Sequence, residues 1–411
     1  MSVTAVAVLD YPRLSETFVA QEILALEARG LEIQIVALRK PPERFVSPIS
    51  RQIRAPVLYL PKFPHREPLR VLRAWWAVRR LPAYRQARTL LWRHFMRSPG
   101  PDPLLRFIQG LVLAHELDAR VTALHAHFIY YPATVIRYTA LLRALPWSCS
   151  AHARDVWTTA REELREKLSS CRWAVTCTDM SRDYLQGLAP PGRVLRVYHG
   201  LQLERFPTAP ARGAPVGNQP EAPVVLLSVG RAVEKKGYGD LLRALALLPA
   251  SVHWRFIHIG GGIMLGRIKK LAARMGLEHR ISWLGPQPPE IVLENYRQAH
   301  IFALACKIAG DGDRDGLPNV LLEAQSQRLP VVSTALPAIQ EFIAHGGQGL
   351  LVPPGDPEAL AQALLSLIRD PARRERMGQA GERRLRREFA FEQGMEVLAE
   401  KFGGSESSMP S

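Results

Sequence analysis

The sequence predicts an α/β protein of two domains, each a parallel sheet wrapped by helices. Three observations carry that prediction. Strand and helix patterns alternate along both halves of the chain, a proline-rich break separates the halves, and 411 residues exceed what one hydrophobic core usually fills.

The elements follow in order. VTAVAVL is a short β-branched apolar run of the kind a parallel sheet buries on both faces. DYPRLSET interrupts it, with Ser15 or Thr17 suited to cap the next helix, FVAQEILALEARG, which stops at Gly30. LEIQIVALR returns to strand and completes a βαβ opening. ALHAHF, WSCSAHA, AVTCT and RVLRVYHGLQ read as further strands, with helices starting near Pro132 and at Asp179 or Ser181. Residues 207–223 hold five prolines and no periodicity, which is linker composition. Alternation then restarts with VVLLSVG, DLLRALALL, HWRFIHIG, MLGRIKKLAARMG, ISWLG, PEIVLENYRQA, IFALAC, NVLLEAQSQ and PVVST, followed by two more helices. Ligands of such sheets bind outside the carboxyl ends of the strands, and with two such domains the cleft between them is the expected active site.

Composition narrows the function. A hydrophobic fraction of 47% and a charged fraction of 22% exclude a disordered tail or a disulfide miniprotein. Cys149, Cys171, Cys177 and Cys306 show neither Cys-x-x-Cys spacing nor partnered histidines, so reduced buried thiols are expected. No apolar run reaches the roughly 18 residues of a spanning helix. The N-terminus lacks the basic flank of a signal peptide, and a cytoplasmic protein is expected. The formal net charge of +16 calls for an anionic partner. Residues 51–106 hold thirteen basic residues against Glu67 and Asp102, so most of the excess is regional.

Two segments carry chemistry. SVGRAVEKKG places Arg231 and Lys236 just after the first strand of the second half, where two cations suit a diphosphate. GDGDRDGLPNVLLEA places Asp315 in a loop, Pro318 at a helix start and Glu323 on that helix's second turn. Helix-start amides suit phosphate, and carboxylates beside them suit vicinal hydroxyls, so a nucleotide sugar matches the combination. A calcium loop starting at Asp311 fails because its twelfth position is Leu322. Asp311-Gly312-Asp313 is short enough to be a metal clamp or a solubilising loop.

These motifs, with ALPAIQEFIAHGGQGLLVPPGDPEALAQAL, resemble the donor domain of GT-B-fold retaining glycosyltransferases of family 4. YPRLSETFVAQEILALEARG, ALHAHF and CSAHARDVW resemble the subgroup that assembles bacterial exopolysaccharides such as colanic acid. The resemblance implies two Rossmann-like domains facing each other across a cleft: an acceptor domain over 1–206 and a donor domain over 224–390. A helix within 391–411 is expected to cross back to the first domain. It implies hexose transfer from a nucleotide-diphosphate sugar to a glycan or lipid-diphosphate-linked acceptor, with no metal and no cofactor beyond the donor.

Carried over by residue, Arg231 and Lys236 steady the departing diphosphate, Asp315 contacts donor-sugar hydroxyls and Glu323 the ribose. Gly316, Leu317, Pro318 and Asn319 form the loop approaching sugar and phosphate. His152 stands near the reaction centre, and Ser15, Glu16 and Thr17 replace the Gly-Gly loop found elsewhere in the family. His125 and His127 read as structural, and Lys235 as a neighbour without a role. Asp315 stands where the family carries Glu, one methylene longer, which leaves sugar identity open.

Two further readings compete: a metal-dependent transferase using Asp311 and Asp313, and a non-catalytic basic protein binding membrane or nucleic acid. Nucleic acid is not expected, because residues 69–97 interleave Arg with Trp and Leu at helical spacing in two pieces split at Pro82. Peripheral docking on an anionic cytoplasmic membrane face through Arg79, Arg80, Arg85 and Arg88 is the expectation there.

Overall fold

The computed structural model describes residues 2–12, 17–41, 49–210 and 213–403. By its packing the chain forms two compact units. The first comprises residues 1–177, 181–197 and 395–411, and the second 178–180 and 198–394.

In the first unit the chain runs β1 (Val3–Asp10), α1 (Thr17–Ala28), β2 (Glu32–Arg39), β3 (Val57–Tyr59), α2 (Pro68–Val78), α3 (Tyr84–Arg97), α4 (Pro101–Glu116) and β4 (Val121–His127). It continues through α5 (Tyr131–Arg143), β5 (Trp147–Ala151), α6 (Arg154–Trp157), α7 (Arg161–Ser170), β6 (Ala174–Thr176), α8 (Asp179–Gln186) and β7 (Val194–Arg196). The strands form one parallel sheet in the order β3-β2-β1-β4-β5-β6-β7. Every residue of β1 is buried, as its unbroken apolar run requires at the centre of a sheet covered on both faces. The short β3 and the helices α6 and α7 lack a strong sequence signal of their own; α7, for example, is mostly charged.

The second unit holds β8 (Val224–Val229), α9 (Tyr238–Ala246), β9 (Trp254–Ile259), α10 (Leu265–Arg274), β10 (Ile281–Gly285), α11 (Pro289–Gln298) and β11 (Ile301–Leu304). Next come α12 (Asn319–Ser326), β12 (Val331–Thr334), α13 (Pro337–Gln340), β13 (Gly349–Val352), α14 (Pro357–Arg369), α15 (Pro371–Glu388) and α16 (Phe391–Gly403). The sheet order is β10-β9-β8-β11-β12-β13, all parallel. Asp356 and Asp370 cap α14 and α15 by accepting from the Ala359 and Arg373 amides at 2.8 Å, followed in each helix by proline in the first turn. The proline-rich stretch is laid against this unit: the Gly217 carbonyl accepts from the His253 amide at 2.8 Å, and the Pro215 carbonyl from the Arg374 guanidinium at 2.5 Å. The residues of α16 from Met395 onward belong to the first unit, where Phe402 packs edge-on against His125 and Trp173.

All four cysteines are buried and none is in a disulfide. Among the described residues no helix is long and apolar enough to cross a membrane.

Candidate active site

In the second unit the strand order reverses between β8 and β11, which pair directly, Ile301 opposite Leu226. The chain leaves the carboxyl ends of these two strands in opposite lateral directions, opening the crevice where doubly wound sheets hold ligands. The sequence-predicted donor residues emerge there. Arg231 follows β8 by two residues, is exposed and makes no ion pair among the described residues. Lys235 and Lys236 close the short turn before α9. Gly237 holds φ +64 in that turn, and a Cβ there would lie 1.6 Å from the Ala305 carbonyl oxygen after β11. Only glycine lets the lysine turn approach β11 so closely.

The lysines meet the acidic loop. The Lys236 ammonium lies 2.7 Å from Asp315 Oδ2, and Lys235 lies 3.0 Å from Asp313 Oδ1 and 3.4 Å from Asp315 Oδ1. Burial opposes the charge on Lys236, yet the Asp315 carboxylate outweighs it and holds the ammonium well above the usual lysine range. Burial likewise pushes Asp315 up, but Lys236 and then Lys235 prevail and lower it. The Cys306 thiol also donates to Asp315 Oδ2 at 3.4 Å. Lys235, expected to stand apart, is thus part of the cluster; adjacency in sequence conceals that both ammoniums reach one carboxylate.

Asp313 is held by Lys235, and Asp311 accepts from the Asp313 amide at 3.0 Å within its own turn. This is loop chemistry rather than a pair of carboxylates converging on a cation. Among the described residues the one group spaced to hold a metal ion is Glu22, His125 and His127, in the first unit.

Gly316, Leu317, Pro318 and Asn319 lead from Asp315 into α12, with Pro318 standing just before the helix. Glu323, on the second turn, accepts from the Tyr296 hydroxyl at 2.9 Å. Burial raises its pKa, with the Tyr296 hydrogen bond opposing. Tyr296 itself is fully buried on α11 and was invisible as a site residue, since an inward tyrosine on an amphipathic helix reads as core. The run Gly260–Gly262 directly after β9 is a signal legible in the sequence. The Ala232 amide donates to the Gly261 carbonyl at 2.6 Å, and a Cβ on Gly262 would lie 2.6 Å from the Ala232 backbone. This glycine loop braces the turn carrying Arg231.

In the first unit, His152 follows β5 directly. Its ring packs among Phe18 (4.8 Å between centroids), Phe128 (4.6 Å) and His127, which stacks on it at 5.7 Å. Thr17 opens α1 beside Phe18, whereas Ser15 and Glu16 lie outside the described residues. His127 approaches Glu22 at 3.3 Å, and His125 is bonded on both ring nitrogens by Ser148 (2.8 Å) and Ser150 (3.0 Å).

Sequence reasoning missed Asp155. Its buried carboxylate accepts from the His152 amide at 3.0 Å and the Ile129 amide at 2.8 Å, tying the ends of β4 and β5 together. Burial raises its pKa to about 6 despite those amides. With the folded pKa above the ordinary 3.8, protonation is linked to folding. The stabilising contribution is complete below about pH 3.8 and is lost as pH rises through about 6. Asp155→Asn, which does not titrate, is expected to flatten this slope by up to about 3 kcal/mol. Chemical denaturation of both proteins at acidic and neutral pH checks it; parallel profiles would exclude the linkage.

The family model described as glycosyl transferases group 1 matches residues 214–384. Over 372 residues the chain is 27% identical to WcaL of Salmonella typhimurium, named for colanic acid biosynthesis, covering 88% of this chain and 89% of that one. Over 151 residues it is 37% identical to AmsK of Erwinia amylovora, named as an amylovoran biosynthesis glycosyltransferase, covering 36% and 37% of the two chains. Among solved structures, Anabaena HepE in complex with UDP and glucose superposes with a TM-score of 0.70 at 14% identity, covering 98% of this chain and all of that one. Identity that low shows the fold alone.

Proposed function

The chain is a glycosyltransferase of GT-B fold, belonging with the group 1 enzymes through residues 214–384, and from that premise we propose that it transfers a hexose from a nucleotide-diphosphate sugar during bacterial exopolysaccharide assembly. The acceptor is a glycan or a lipid-linked oligosaccharide, and the sugar is transferred with retention at its anomeric carbon. The observation that carries this reading is the lysine–aspartate cluster at the switch point of the second sheet, followed directly by the start of α12 and Glu323. The two relatives named for polysaccharide synthesis support the polymer class.

In this reading the diphosphate takes the exposed Arg231, the ammonium of Lys236 and the free amides opening α12 as its counter-charge. Asp315 then turns to the sugar hydroxyls, and Glu323 accepts from the ribose diol through the oxygen that Tyr296 leaves open. In transfer, the acceptor oxygen forms its bond to the anomeric carbon as the bond from that carbon to the phosphate oxygen breaks on the same face. The acceptor proton passes to the leaving phosphate. Lys236 and Arg231 act most strongly when that phosphate gains charge, which lowers the barrier more than it tightens ground-state binding. These cations supply the charge stabilisation a metal would otherwise give, so the reading requires none. His152 belongs to the acceptor side.

The test is a panel of nucleotide-diphosphate sugars followed by thermal unfolding. A donor at about 100 times its dissociation constant stabilises the native state by about 2.7 kcal/mol and raises the melting temperature accordingly. If no nucleotide sugar raises it and none is hydrolysed or consumed, the proposal fails.

A further inference from the structure

We propose that the outward face of α2 and α3 is a docking surface for an anionic lipid bilayer. An amphipathic helix packed on a domain normally turns polar side chains to solvent. These two helices turn large apolar side chains to solvent beside their arginines. On α2 the buried side is Ala74 and Val78, yet the opposite stripe carries Leu69, Leu72 and Trp76, which are 68%, 55% and 52% exposed. Spacings of three and four residues place these three on one line of the helix. On α3 the buried side is Ala87, Leu90 and His94, while Trp92, Phe95 and Met96 stand 65%, 42% and 64% exposed. Trp75, one residue from Trp76, faces inward and donates to the Tyr84 hydroxyl at 2.9 Å, linking α2 to α3. The sequence could not sort these tryptophans; packing does.

The charge on the same faces selects the occupant. Arg70 is consumed by Glu67 and Glu116, Arg97 by Glu166, and Arg79 lies over the Trp76 ring at 3.4 Å. Arg73, Arg80, Arg85, Arg88 and Arg93 are exposed and make no ion pair among the described residues. A second copy of the chain would bring these cations against themselves. Nucleic acid would neutralise them but offers nothing to exposed leucine and methionine side chains. An anionic bilayer satisfies both, with phosphates for guanidinium groups, the headgroup level for indole rings and acyl chains for the aliphatic residues. Arg79, expected among the lipid contacts, lies over the same tryptophan ring as Arg80, which is farther away at 5.6 Å.

The test uses the full chain and sedimentation with phosphatidylcholine vesicles, with and without phosphatidylglycerol. Binding is expected to the anionic vesicles only and to fade at high salt, since screening shortens the reach of exposed charges. Joint replacement Arg80→Gln, Arg85→Gln and Arg88→Gln is expected to weaken it on the order of a hundredfold, about fivefold per charge. Joint Trp76→Ser and Trp92→Ser is expected to weaken it about tenfold or more at every salt concentration. All five side chains point to solvent, so unfolding curves are expected to match the parent, and Arg376→Gln on the second unit is expected to leave binding unchanged. Binding indifferent to lipid charge, absent altogether, or unmoved by either set of replacements overturns the proposal. So does self-association that disappears with the two tryptophans, which would assign the face to a second copy. The assay contains no donor, so its outcome is independent of the glycosyl-transfer reading, which the nucleotide-sugar melts test by themselves.

Discussion

Lys236→Ala is expected to lower kcat by roughly two to three orders of magnitude, the scale on which one preorganised stabiliser of a developing negative charge acts. KM for the donor is expected to change far less, because in the proposed reaction the ammonium acts most strongly once the phosphate has begun to leave. The same replacement strips Asp315 of its nearest cation, 2.7 Å away in an enclosed site. Breaking such a pair from one side costs about 3–5 kcal/mol of stability, so a lost fold must be told apart from lost chemistry. Removing both partners, Lys236→Met with Asp315→Asn, is expected to restore much of the melting temperature while leaving turnover depressed. A double variant that regains activity along with stability would show that the pair is only structural. Lys235→Ala is expected to fall between these extremes, since its ammonium serves Asp313 as well as Asp315.

Glu323→Gln is the second large expectation. A charged hydrogen bond to the ribose is worth about 1–3 kcal/mol, so donor and free nucleoside diphosphate should both bind roughly 5- to 150-fold more weakly, as titration calorimetry would read. The sign of the pH dependence follows from burial, which raises the pKa of this carboxyl. The charged acceptor is therefore lost on acidification sooner than for an ordinary glutamate, and nucleotide affinity falls with it. In Glu323→Gln that part of the pH dependence disappears. Tyr296→Phe removes the hydrogen bond that holds the carboxylate charged and moves the loss of affinity to higher pH. Unchanged nucleotide affinity in Glu323→Gln, with only thermal stability reduced, would leave the residue a purely structural partner of Tyr296.

How much of this was legible without coordinates depends on how local the cause is. The fully buried β1 and the stop of α1 before Gly30, at φ +87, follow from β-branched runs and glycine, whose effects reach only a few residues. The same holds for the helix opening after Pro318, and the order of loop, helix start and Glu323 in one segment made the candidate anion site readable. Sequence alone thus determined two alternating α/β halves, a proline-rich break between them and the place of the candidate donor residues along the chain. Tertiary structure decided what those residues touch. Lys235 and Lys236 are neighbours in sequence, but only the close approach of Gly237 to Ala305 brings both onto Asp315. Asp155 and Glu22 are carboxylates, a residue type that is mostly exposed, yet packing buries both near the ends of the first sheet. Trp75 and Trp76 carry the same side chain one position apart, and only the neighbouring helices determine that one packs inward, partly buried, and the other faces solvent. Periodicity specifies the faces of a helix; when both faces are apolar, the choice between them belongs to the rest of the fold.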